Sequence, residues 1–82
     1  MKKLEKPIES EKYRKLIAEM VKIRHVKKIT QIKLADKLGT SNATVARYET
    51  CQQIISLNNY FIIMKELGAS KKETLALLDK IF

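Results

Sequence analysis

The chain has 82 residues, 45% of them hydrophobic, with a formal net charge of +8 and a pI near 9.8. That length fits one small domain with a thin core. No apolar run approaches the roughly 20 residues that cross a bilayer, and the one cysteine, Cys51, has no partner for an internal disulfide.

The positive excess favours a polyanionic partner: nucleic acid, an anionic membrane surface or an acidic protein. It is uneven. Residues 1–30 hold ten Lys/Arg against four Asp/Glu, and residues 31–82 hold seven against five. Residues 1–9 read as a flexible basic tail punctuated by Pro7. No apolar segment follows its lysines, so it is not a signal peptide, and a cytoplasmic, nucleoid-associated location is expected.

Residues 10–82 read as one all-α domain, because only two glycines and one proline occur and no stretch alternates like a strand. Ser10 caps a first helix over about 11–27, with Tyr13, Leu16, Ile17, Met20 and Val21 on one face. Thr30 caps a second over about 31–38, with Leu34, Ala35 and Leu38 inward. Gly39 supplies the positive φ that ends it. Ser41 caps a third over about 42–49, with Val45 and Tyr48 toward the core.

Residues 50–55 form a linker, and Ser56 caps a fourth helix over about 57–67. Leu57, Tyr60, Phe61, Met64 and Leu67 recur there at core spacing, and Gly68 closes it. Ser70 and Glu73 form a capping box for a fifth helix carrying Leu75, Leu77, Leu78, Ile81 and Phe82. Five short helices with short connections predict a compact all-α bundle.

Counting from Gln31, a small residue (Ala35) comes fifth, a glycine (Gly39) ninth and a β-branched apolar residue (Val45) fifteenth. A small fifth residue lets the next helix cross closely, the glycine makes the turn, and Val45 holds the second helix against the first. The stretch QIKLADKLGTSNATVARYE therefore resembles the helix-turn-helix of the lambda-repressor-like family, the Cro and Xre type of regulator. The similarity runs from about Ile17 to Ser70. It includes Met20 and Arg24 in the lead-in, the Tyr48–Glu49 pair, and the later Ser56–Leu57 and Leu67–Gly68 signals.

The resemblance implies a DNA-binding role residue by residue. Gln31, at the start of the second helix, would bind a phosphate, where a helix N-terminus also suits an anion. Asn42, Ala43, Thr44 and Arg47 match positions that face the major groove, and Arg24 and Glu49 match an internal ion pair. The chemistry of these side chains agrees. Arg47 can pair bidentately with guanine, Asn42 with adenine, and the methyls of Ala43 and Thr44 can meet a thymine methyl. Ser41 serves first as a cap and stands beside them. Lys28, Lys33, Lys27 and Lys37 flank the motif and could hold the DNA backbone without reading sequence.

The chain departs from the family pattern at three places. Cys51 stands where a glycine is common, Ile55 where a proline is common, and Thr40 where an apolar residue usually follows the turn glycine. Loop contacts to phosphate are affected more than the fold. The single histidine, His25, has no ligand partner at metal-binding spacing, no phosphate-cradling glycine loop occurs, and no nucleophilic triad can be assembled. Catalysis, a cofactor and a metal are therefore not expected.

The sequence-level expectation is a transcriptional regulator on double-stranded DNA, a repressor acting as a dimer at a near-palindromic operator. A homodimer through the C-terminal helix (Leu75, Leu78, Ile81 and Phe82) is expected, with Ile54, Ile55 and Ile62 adding to the apolar patch; the alternative is that the apolar residues of that helix close the monomer core. The alternative is a protein-interaction module on the same fold, such as an antitoxin or anti-repressor with a toxin or other protein partner. A membrane partner is not expected, because the apolar face of the basic first helix is needed by the core.

Overall fold

A computed structural model of the chain describes Leu4, Lys6 and residues 9–82. Five helices follow one another: α1 (Glu11–Val26), α2 (Gln31–Leu38), α3 (Asn42–Glu49), α4 (Leu57–Glu66) and α5 (Lys71–Ile81). No strand occurs among the described residues. The expected basic tail, with Pro7, falls largely on residues that lie outside the described ones.

Each helix starts where a hydroxyl can satisfy its first free N–H groups. Ser10, Thr30, Ser41, Ser56 and Ser70 accept from the backbone N–H of Tyr13, Lys33, Thr44, Asn59 and Glu73. A cap of this kind is worth ~1 kcal/mol. At Ser70 the box is complete, because its N–H also donates to Glu73 Oε1 at 3.2 Å.

The helix ends are equally local. Gly39 has φ +66° and Gly68 φ +83°. A Cβ on Gly39 would meet no atom within 4 Å. The turn between α2 and α3 thus needs glycine for its dihedral and not for space.

The core joins all four N-terminal helices. It contains Leu16, Ile17 and Met20 of α1, Leu34 and Ala35 of α2, Val45 of α3, and Tyr60, Ile63, Met64 and Leu67 near α4. α2 packs chiefly on α3, α1 against α3 and α5, and α4 against α2 and α5. Leu34 is 1% exposed, so truncating it to alanine would cost about 2–5 kcal/mol.

Two expectations about packing are corrected. Leu57 is 69% exposed and does not join the core. Ile55 does, at 7% exposed, so it leaves the expected surface patch, where Ile54 and Ile62 remain. The reason is a linker contact: the Ile55 N–H donates to the Tyr13 hydroxyl at 3.1 Å and draws the residue inward. Burial raises the Tyr13 phenol pKa above its ordinary value, against the opposing effect of that hydrogen bond.

On α5 sequence reasoning missed one residue: the most buried side chain there is Thr74. The Thr74 hydroxyl donates to the Ser70 carbonyl at 2.8 Å, which lets the residue enter the core. Leu77, Leu78 and Ile81 are half-buried beside it, while Leu75 and Phe82 are exposed.

Candidate nucleic-acid interface

α2 and α3 are joined by Gly39, Thr40 and Ser41. The Thr40 N–H donates back to the Ala35 carbonyl at 3.0 Å, closing α2, and Ser41 opens α3 at once. Ala35 and Val45 are buried at 3% and 1% exposed and lock the two helices together. α2 also packs on α4 and α3 on α1, and each helix leaves its remaining side to solvent.

On α3 that solvent side carries Asn42, Ala43 and Arg47, all exposed, with Ser41 ahead of them. Thr44 is half-buried. Its hydroxyl lies 2.9 Å from Ser41 Oγ, which also accepts from the Thr44 N–H. The Thr44 hydroxyl is thus already engaged by Ser41. No carboxylate interrupts the exposed row Ser41, Asn42, Ala43 and Arg47. Glu49, the one acid of α3, is turned away into an ion pair whose carboxylate side chain is 6% exposed.

That ion pair anchors the interface from behind. Arg24, itself 7% exposed, donates through Nε to Glu49 Oε2 at 2.6 Å and through Nη2 to Glu49 Oε1 at 2.8 Å. Its Nη1 donates to the Ile29 carbonyl at 2.9 Å. Arg24 thus clamps the connection between α1 and α2, where Lys28 stands exposed at φ +58°. The exposed His25 ring comes within 3.2 Å of Arg24 Nη2 through Nε2.

Gln31, the first residue of α2, is half-buried, and its amide Nε2 donates to Glu49 Oε1 at 2.8 Å. Sequence reasoning missed this bond. It depends on how α2 crosses α3, although the Arg24–Glu49 pairing was legible and Gln31 lies near it. Lys33 is exposed on the first turn of α2. The structure thus brings Gln31 to Glu49 and Ser41 to Thr44. Lys28 and Lys33 stand exposed at the two sides of the start of α2.

The loop after α3 turns its amides inward. Cys51 adopts φ +59°, the dihedral that a glycine takes at little cost, and is 6% exposed. Its N–H donates to the Tyr48 carbonyl, and those of Gln52 and Gln53 both donate to the Arg47 carbonyl. These three N–H groups are therefore committed to the end of α3 and are not open to a phosphate.

No curated protein and no solved structure matches the chain. The helix-turn-helix family model matches residues 22–73, from the second half of α1 into the first turn of α5. With Gln31–Glu49 folded as two locked helices inside that span, the chain belongs to the lambda-repressor-like helix-turn-helix family of DNA-binding regulators.

Proposed function

We propose that the protein is a sequence-specific transcriptional repressor that inserts α3 into the major groove of a near-palindromic operator as a dimer. The observation that carries this reading is the exposed, carboxylate-free row Ser41, Asn42, Ala43 and Arg47 on a helix whose other side is locked by Val45. Arg47 reads a guanine, Asn42 an adenine, and the methyls of Ala43 and Thr44 meet thymine. Gln31, Lys28 and Lys33 hold phosphates and set the register. Repression follows from occlusion of polymerase at the operator.

Residues 10–82 act as one unit preceded by a basic tail over 1–9 that adds non-specific attraction, and the protein works at the nucleoid. The dimer forms through α5. Leu75 and Phe82 are 46% and 62% exposed, and Leu78 and Phe82 border an apolar groove with Tyr13, Ile55 and Leu57. A second copy covers that surface and spaces the two recognition helices about one helical turn, ~34 Å, apart.

The same exposed apolar residues suit the alternative, an antitoxin or anti-repressor that uses this fold to bind a protein. Selection from a random-sequence duplex pool at physiological salt separates the two. Enrichment of an inverted repeat supports the repressor. Salt-labile binding without enrichment rejects it and directs attention to a protein partner on α5.

A further inference from the structure

The ion pair and the proposed phosphate ligand share one carboxylate. Glu49 Oε1 accepts from Arg24 Nη2 and from Gln31 Nε2, each at 2.8 Å. The second oxygen, Oε2, accepts from Arg24 Nε. The three side chains come from α1, the first residue of α2 and the last residue of α3. Arg24 and Glu49 are 8% and 6% exposed at their side chains, so water competes little for these bonds. A carboxylate at a helix C-terminus is opposed by the helix dipole. Here three donated hydrogen bonds hold it in place.

From this geometry we infer that Glu49 is a positioning residue for DNA binding: it takes one N–H of the Gln31 amide and so aims the remaining N–H at a phosphate. An amide carries two N–H donors and one carbonyl acceptor. The bond to Glu49 uses one donor and leaves the other, with Oε1, at the N-terminus of α2. A surface glutamine without this tie would lose its rotamer freedom only on meeting DNA, at the expense of affinity. The tie makes that loss during folding instead.

It also sets register. Glu49 ends the recognition helix, so a single carboxylate fixes the spacing between the phosphate ligand and the row Asn42, Ala43 and Arg47. This inference rests on the phosphate role given to Gln31 above.

Two measurements test it. The first uses the natural protein without DNA and follows side-chain amide relaxation by NMR. The Gln31 amide is expected to be rigid, in contrast to those of the exposed Gln52 and Gln53. Equal mobility of all three overturns the tie.

The second is a double-mutant cycle on a mixed-sequence DNA duplex at low salt, where phosphate contacts dominate. Gln31→Ala is expected to weaken binding about tenfold in the natural protein, as for a hydrogen bond to a charged group. In the paired background Arg24→Met/Glu49→Leu, with folding checked by thermal melting, the same change is expected to cost at least about threefold less. Equal factors in the two backgrounds overturn the positioning role. Should the paired variant not fold, the relaxation measurement decides alone. Absence of duplex binding by the natural protein would overturn the phosphate role of Gln31 itself, which is a different result.

Discussion

Arg24 and Glu49 lie 25 residues apart and meet as a two-pronged ion pair, Nε to Oε2 at 2.6 Å and Nη2 to Oε1 at 2.8 Å. Both are nearly withdrawn from water, so removing one strands the other. Arg24→Ala or Glu49→Ala is expected to cost about 3–5 kcal/mol, a large part of the ~5–15 kcal/mol that holds a domain together. The paired change Arg24→Met/Glu49→Leu is expected to keep most of the stability, because no unpaired charge remains. Urea unfolding of the three variants checks this. Single changes costing under ~1 kcal/mol would mark the pair as energetically exposed.

Cys51 is the next test, because it combines a left-handed backbone with a buried side chain. A left-handed L-residue costs ~1–2 kcal/mol that glycine avoids. Cys51→Ala keeps that cost and loses the sulfur contacts. Cys51→Gly loses the contacts but gains the dihedral. Glycine is therefore expected to be more stable than alanine here by about 1 kcal/mol, the reverse of their order inside a helix. Melting temperatures of the two variants decide it.

Base reading and phosphate binding are separable at Arg47 and Lys28. Arg47→Ala is expected to cost about 1–3 kcal/mol on the selected operator and to relax preference at one base pair. Lys28→Gly is expected to act in two opposite directions. It removes a left-handed lysine, whose ~1–2 kcal/mol cost exceeds the ~0.5–1 kcal/mol of chain entropy that glycine adds, and so is expected to stabilise the fold by roughly 0.5–1 kcal/mol. It also weakens all duplexes alike and lowers the salt slope by about 1. Titrations at several salt concentrations beside a melting curve read both effects. A sequence-dependent loss at Lys28 would reverse the assignment.

The capping box gives a pH dependence with a definite sign. The Glu73 carboxylate is held below its ordinary pKa of 4.5, chiefly because it accepts the Ser70 N–H, helped by the Ser70 side chain and the charge of Lys27. A carboxylate whose native pKa is depressed adds stability above its unfolded pKa and loses it as pH falls through the native value. Glu73→Ala is therefore expected to be less stable than the natural protein at neutral pH. The gap is expected to narrow as pH falls below about 4.5. Melting curves at pH ~7 and ~3 show whether the gap closes.

The proposed dimer is open to charge insertion, because its two outermost residues make little of the monomer core. Leu75→Glu with Phe82→Glu is expected to leave the melting temperature of the dilute monomer nearly unchanged and to abolish dimers in sedimentation. Binding to the full inverted repeat falls with it, while binding to a half-site persists. A natural protein that stays monomeric on DNA at tens of micromolar would remove the dimer from the mechanism.

Much of this fold was legible because its signals are local. A serine or threonine that caps a helix does so within three residues, as Ser10, Thr30, Ser41, Ser56 and Ser70 do. Gly39 and Gly68 end helices through their own dihedrals. The spacing of Ala35, Gly39 and Val45 encodes the helix pair, and Arg24 with Glu49 followed from family resemblance. The packing of α5 was not legible. Spacing rules rank leucines as core, whereas Thr74 is buried because the Ser70 carbonyl accepts its hydroxyl.

The same distinction separates Leu57 from Ile55. Apolar periodicity assigned the core place to Leu57, the first residue of α4, yet the linker residue Ile55 occupies it after binding Tyr13, 42 residues earlier. The bond from Gln31 to Glu49 is of this kind too, spanning 18 residues across a helix crossing. The helices, their boundaries, the turn at Gly39 and the excess of positive charge could be read from the chain alone, since each depends on neighbouring residues and composition. Which apolar side chains are covered, which amides of the loop after α3 are already spent, and the carboxylate that joins Arg24 to Gln31 emerged with the packing of the helices. Those outcomes depend on distances between segments far apart in the chain, and packing alone sets such distances.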